Sequence, residues 1–138
     1  MRRFALILIL LSGRAFAADV TVEVSGIAAA KGDVVTGLCT AEEFLKPCAR
    51  RMVLSAEQGT VSTTFTGVDP GRYAVQVFHD ANRNGKLDTN SRSMPMEGYG
   101  FSNDATAEVG PPEFKDAAFE LGAEHKNIRV RLSYENVP

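Results

Sequence analysis

The chain has 138 residues, of which 44% are hydrophobic and 23% charged, and its formal net charge is −2. That length suits one domain with its own core and is too short for two. The slight acidic excess disfavours nucleic acid as a partner.

Residues 1–17 have the form of an export signal. Arg2 and Arg3 precede an apolar run over 4–11, and Ala15-Phe16-Ala17 supplies the small-x-small pattern that a signal peptidase accepts. The run is far shorter than the roughly 20 residues of a membrane-spanning helix, and no lipid-attachment cysteine follows it. Cleavage after Ala17 is expected to leave 121 residues, a single domain over 18–138, in the periplasm or secreted, with no membrane anchor. Losing Arg2, Arg3 and Arg14 leaves 12 basic against 17 acidic side chains, a net charge near −5.

From residue 18 the dominant period is two. Val20, Val22 and Val24 alternate with Thr21, Glu23 and Ser25, as in a strand with one wet face. Val61, Thr63 and Phe65 repeat the pattern, as do Tyr73, Val75 and Val77, and Ile128, Val130, Leu132 and Tyr134. Further strands are expected at 33–39, 51–56 and 117–121, giving about seven in all. The fold expected is therefore an all-β, antiparallel sandwich.

Cys39 and Cys48 are the only cysteines, and an even count in an exported chain reads as a disulfide. Closing that ten-residue loop is worth about 2.7 kcal/mol in the chain-entropy model. Within it Thr40 to Glu43 has the form of a capping box and Pro47 cannot continue a helix, so one short helical turn is expected under the bridge. A catalytic dithiol is the sharper alternative, but redox pairs usually lie two residues apart at a helix start.

Between Phe65 and Tyr73 stands TGVDPGR, the signature of a type II turn with Pro70 first and Gly71 at a positive φ, which predicts a hairpin. Its second strand runs into His79 and Asp80. From there to about residue 115 alternation gives way to Gly, Pro, Asn and Ser, an unusually long loop for a compact domain. Ordering such a loop costs on the order of 1 kcal/mol per residue, and Met94, Met96, Tyr99, Phe101 and Phe114 offer little to offset it. A metal at its start would help hold it.

HDANRNGKLD, residues 79–88, suits such a metal. Asp80, Asn82 and Asn84 occupy the first, third and fifth positions of an EF-hand-type loop, Gly85 the bend, the Lys86 carbonyl the seventh and Asp88 the ninth. Calcium, which takes six to eight hard oxygens at flexible geometry, fits this donor set better than magnesium. The pattern departs from the EF-hand in having Ser91 where a bidentate glutamate belongs and no flanking helices. Two carboxylates imply weak binding unless Glu97 or Asp104 folds back. The plain alternative is an Asx-rich turn whose side chains cap their own backbone.

Enzyme signatures are scarce: no G-x-S-x-G elbow, H-E-x-x-H, phosphate loop or dinucleotide fingerprint occurs. His79 and Asp80 are adjacent on a strand and face opposite ways. Two alternatives to a non-catalytic module stay open: a metal-dependent hydrolase using His79 with Asp80 and Asp88, and a periplasmic copper site from His79, His125, Met94 and Met96. The plainer reading of the methionines is that they pack, and of His125 that it lies in a polar turn.

The segment FTGVDPGRYAVQVFHDANRNGKLDTN, followed by PMEGYGFSND and GPPEFKDAAF, resembles the bacterial exported family catalogued as domain of unknown function 2141, over residues 20–134. Residues 65–77 also resemble the PGxY hairpin of transthyretin-like and carboxypeptidase-regulatory-like sandwiches. These resemblances imply a sandwich fold and export, and no chemistry. The Cys39–Cys48 pair is not a part of that motif. The sequence thus reads as an exported, non-catalytic module with a calcium-stabilised loop, offering Met94, Met96, Tyr99 and Phe101 to an envelope protein or a glycan.

Overall fold

The computed structural model describes residues 16–107, 109–135 and 137. The expected export signal, apart from Phe16 and Ala17, lies outside the described residues. Eight strands are found among them: β1 (Ala18–Ile27), β2 (Asp33–Cys39), β3 (Arg50–Ser55), β4 (Gly59–Val68), β5 (Gly71–Asp80), β6 (Tyr99–Phe101), β7 (Phe119–Leu121) and β8 (Lys126–Arg131). They form two sheets, one ordered β4-β1-β8 and the other β3-β2-β5-β6, with β7 pairing the start of β5. The fold is an all-β sandwich. One pair departs from the antiparallel rule, because β8 runs parallel to β1 with Ile128 opposite Val22.

The alternating residues make the core. Val20, Val22 and Val24 meet Val34, Leu38, Val75 and Val77 across the sandwich, joined by Ile128 and Val130. Each such side chain contributes about 1.5 kcal/mol or more on burial. A second cluster of Phe44, Ala74, Phe101 and Ala117 covers the other face of β5, with Tyr99 and Phe114 packed against it. β2 is buried continuously from Val34 to Cys39 instead of alternating.

The disulfide closes between Cys39 and Cys48, whose Cα atoms are 5.2 Å apart. It holds a single turn in which Thr40 O accepts from the amides of Glu43 and Phe44. Glu43 Oε1 accepts from both the Thr40 amide and hydroxyl, and Oε2 from the Ala49 amide. These contacts, the Thr40 amide first, hold the Glu43 carboxyl below its ordinary value. Gln76 fastens the turn to the sheet: its Oε1 accepts from Leu45 N at 2.9 Å and its Nε2 donates to Lys46 O at 2.7 Å.

The TGVDPGR turn differs from expectation. β4 and β5 lie in different sheets, so the segment is a crossover and not a hairpin. The Tyr73 hydroxyl donates back to Asp69 O at 2.8 Å, a tyrosine corner of the kind that carries a chain between the sheets of a sandwich. The positive φ belongs to Gly67, at 63°, and not to Gly71.

The long excursion is held by its own polar contacts. Residues 88–96 double back, with Met96 N donating to Asp88 O and Asn90 N to Met94 O, while Asn90 Oδ1 caps the bend through Arg92 N and Met94 N. β6 then pairs with β5 and, through Tyr99, with Ser133 beyond β8. Ser102, fully buried, fills the gap between β6 and β7: its Oγ accepts from Val75 N at 2.9 Å and donates to Ala117 O at 2.5 Å. Asn103 Nδ2 donates to Ala118 O. These contacts fasten the chain from residue 88 to Asn103 without drawing on the side chains of Asp80, Asn82, Asn84 or Asp88. Ser102→Ala strands a buried amide and a buried carbonyl, so urea denaturation should show a loss of about 2 kcal/mol; an unchanged midpoint would mean that water replaces the hydroxyl.

Candidate functional site

β5 delivers His79 to the inner face and Asp80 to the outer end of the sheet, opposite Asp33 of β2. Both are buried, at 4% and 2% exposure. Asp80 organises the turn after it: Oδ1 accepts from Asn84 N at 3.1 Å and Oδ2 from Gly85 N at 2.8 Å. Asn82 Oδ1 accepts from Asn84 N, and Asn84 Oδ1 from Lys86 N, two successive Asx-type turns. Gly85 at φ 81° supplies the left-handed bend that lets the chain close.

The side chains turn inward. The carboxamides of Asn82 and Asn84 both reach Asp88, with Nδ2 to carboxylate distances of 2.6 Å each. Those two contacts, Asn84 first, hold the Asp88 carboxyl below its ordinary value. Asp104 stays away, in the short turn Ser102–Asp104 after β6. Glu97 does fold back: Oε2 accepts from Asp88 N at 3.1 Å, so Glu97 grips the end of the turn. It is 8% exposed. Burial above all, and then the nearby charges of Asp88 and Asp80, push its carboxyl above the ordinary value.

Asp80, Asn82, Asn84 and Asp88 are thus gathered on one bend, with Glu97 as a third carboxylate. Among the described residues no three His, Cys, Asp or Glu side chains are disposed to hold one metal ion. A cation here would need amide and main-chain oxygens, including the Lys86 carbonyl, beside the carboxylates. The surroundings are not uniformly acidic: Arg83 pairs with Asp33 at 3.3 Å and Arg51 donates to Gly85 O at 3.1 Å.

His79, on which the hydrolase and copper alternatives rest, has both ring nitrogens engaged in hydrogen bonds. Nε2 lies 2.6 Å from Lys31 O, which can only accept, so this nitrogen carries a proton; Nδ1 lies 2.8 Å from the Tyr134 hydroxyl. That hydroxyl accepts in turn from Ala28 N, and burial pushes its pKa up. His79 ties the β1–β2 link to the end of β5. His125 is exposed, beside Thr21 and Asn127.

The four residues read as a recognition surface divide. Met94 is exposed, and Tyr99 is half-buried in the wall of a cleft of about 890 Å³ between the excursion and the chain after β8. Met96 is half-buried outside that wall. Phe101 is a packing residue, its ring 5.6 Å from that of Phe44.

A family model described as "Uncharacterized protein conserved in bacteria (DUF2141)" matches residues 22–129, from within β1 to within β8. The chain belongs to the DUF2141 family. No curated protein and no solved structure matches it. The DUF2141 match takes in the disulfide turn, the Asp80 bend and Glu97 alike, so all three lie within the family region. No helix among the described residues of this DUF2141 chain is long and apolar enough to cross a membrane.

Proposed function

We propose that this protein is an exported, non-catalytic sandwich module of the cell envelope whose bend at residues 80–88 takes a calcium ion. The observation that carries this reading is Glu97. A carboxylate removed from water and placed near two others raises the free energy of the ion-free bend at neutral pH, and a divalent cation offsets that repulsion. Asp80, Asp88, the carboxamide oxygens of Asn82 and Asn84, and the Lys86 carbonyl are the hard donors calcium prefers. The ion would supply charge neutralisation and local stiffness, in keeping with a staple and not a switch.

The test is thermal melting of the mature protein. With a dissociation constant of about 0.1 mM, in the range of extracellular modules, about 1 mM calcium adds roughly 1.4 kcal/mol, or about 5 °C for a domain of this size. Chelator should reverse the shift, and Asp80→Ala should remove it. Identical midpoints in calcium and in chelator would overturn the reading.

Glu97→Gln gives a second, sharper result. Because the folded-state pKa of Glu97 lies above its ordinary 4.5, the native state holds more protons than the unfolded one just above that pH. Its contribution to stability therefore declines as pH rises from about 4.5 through the raised value. Glutamine still accepts from Asp88 N but carries no charge. In chelator at pH 7 Glu97→Gln should be as stable as the parent or more so, with a smaller response to calcium. A large loss of stability in chelator, together with an unchanged calcium response, would show that Glu97 is only a structural clasp.

A further inference from the structure

The outer face of the second sheet carries a groove that neither the fold nor the calcium reading requires. Its floor is Val35, Gly37 and Phe78; one wall is the disulfide turn at Leu45 to Cys48, and the other is Gly85 to Leu87. Its volume is about 220 Å³. That is below the roughly 300–1,000 Å³ of drug-sized sites, enough for one short chain or ring and too small for a two-chain lipid.

Two features mark it as built. Leu45 is 47% exposed and sits in the left-handed region at φ 66°, a strained conformation for a non-glycine residue. Gln76 keeps it there by bonding Leu45 N and Lys46 O, so an apolar side chain is held out over an apolar floor. The second feature is charge. Lys46, Arg51 and Lys86 line the groove, and among its described lining residues none is acidic, in a chain whose acids outnumber its bases. Arg51 spends one N–H on Gly85 O and retains further donors of the kind that grip a carboxylate.

We propose that this groove binds a small amphipathic carboxylate, its apolar body on Val35, Phe78 and Leu45 and its anionic head among Arg51, Lys46 and Lys86. The three cations select for the head, while the shallow apolar floor selects for a single short body. The groove shares Gly85 to Leu87 with the 80–88 bend, but its cations and apolar floor do not call on an ion there.

The test is titration of the ¹⁵N-labelled mature protein with sodium octanoate, octanol and sodium propionate, each in calcium and in chelator. Octanoate should shift the amides of Gly37, Leu45 and Lys86 and the Gln76 side chain saturably, with a dissociation constant of about 1 mM or tighter. Octanol and propionate should each bind at least tenfold more weakly. Arg51→Gln with Lys86→Gln should weaken octanoate at least tenfold. So should Leu45→Glu, which places an acid at an exposed position and tests the groove without touching the core. Shifts centred on Thr106 and Glu135 in the other cleft would overturn the proposal, as would equal binding of octanol or full affinity in either variant. Co-sedimentation with phosphatidylglycerol vesicles in place of octanoate binding would also overturn it.

Discussion

Replacing Gly32 with alanine is expected to lower the unfolding free energy by about 3 to 5 kcal/mol, among the largest effects of any single methyl group in this protein. Gly32 has φ 74°, and a Cβ built there would lie 2.3 Å from Asp80 O and 2.6 Å from Ala81 Cα. Both are backbone atoms, so no rotamer change relieves the overlap. The segment cannot simply back away either, because Lys31 O is bonded to His79 Nε2 and Gly32 O accepts from Ala56 N. Something in the junction of β1, β2 and β5 must open. Gly85→Ala is the control. It shares the left-handed conformation, at φ 81°, but nothing lies within 4 Å of the added carbon, so its cost should stop at about 1 to 2 kcal/mol. Urea denaturation of the two variants separates the contributions. Equal losses would show that the close approach of Gly32 to Asp80 is not a constraint in solution. Because the displaced atoms belong to Asp80 and Ala81, Gly32→Ala should also blunt any calcium response.

The same junction shows what a sequence can and cannot reveal. Val20, Val22 and Val24 alternate because β1 has one wet face, and that signal is strong enough to place the strand and its buried side. β6 has only three residues, two of them aromatic and one glycine, and takes its conformation from Gln76 to Phe78 on one side and Ser133 on the other. No local period can announce such a strand. The Pro70-Gly71 pair was legible as a turn, yet local turn chemistry is indifferent to which sheet receives the next strand; the bond from Tyr73 to Asp69 O settles that. At the bend, the D-x-N-x-N-G spacing pointed to Asp80, Asn82, Asn84 and Asp88 because alternate residues turn inward around a glycine. Glu97 lies nine residues after Asp88 with no periodic relation to it. The fold brings it in because residues 88–96 double back, a pairing set by Asn90 and not by hydropathy. His79 shows the limit from the other side: its chemistry suggested a ligand or base, and only the geometry shows that its nitrogens meet Lys31 O and the Tyr134 hydroxyl.

Opening the Cys39–Cys48 bridge is expected to cost about 2.7 kcal/mol through the added freedom of the unfolded chain, and the native state should feel a second, local effect. The bridge pins a turn whose inward residue is Phe44, and Phe44 packs on both Phe101, at 5.6 Å, and Phe114, at 5.8 Å. The bridge itself packs on Gly37, where the sulfur atoms of Cys39 and Cys48 take up the space above the missing side chain. Once reduced, the turn retains Glu43 on the Thr40 and Ala49 amides and Gln76 on Leu45 and Lys46, so it should loosen without detaching. Protein in which both cysteines are alanine should therefore unfold cooperatively at a lower urea midpoint, with an m-value equal to or slightly above that of the bridged protein, while amide exchange rises most at Leu45 and Lys46. Lowering the pH should widen the gap between oxidised and bridge-free protein. The depressed pKa of Glu43 means that its contribution is present above the ordinary carboxyl value of 4.5 and is lost as the pH falls through the folded value, and without the bridge nothing covalent remains to hold the turn. A constant gap between the two proteins from pH 7 down to pH 3 would show that Glu43 and the disulfide act independently.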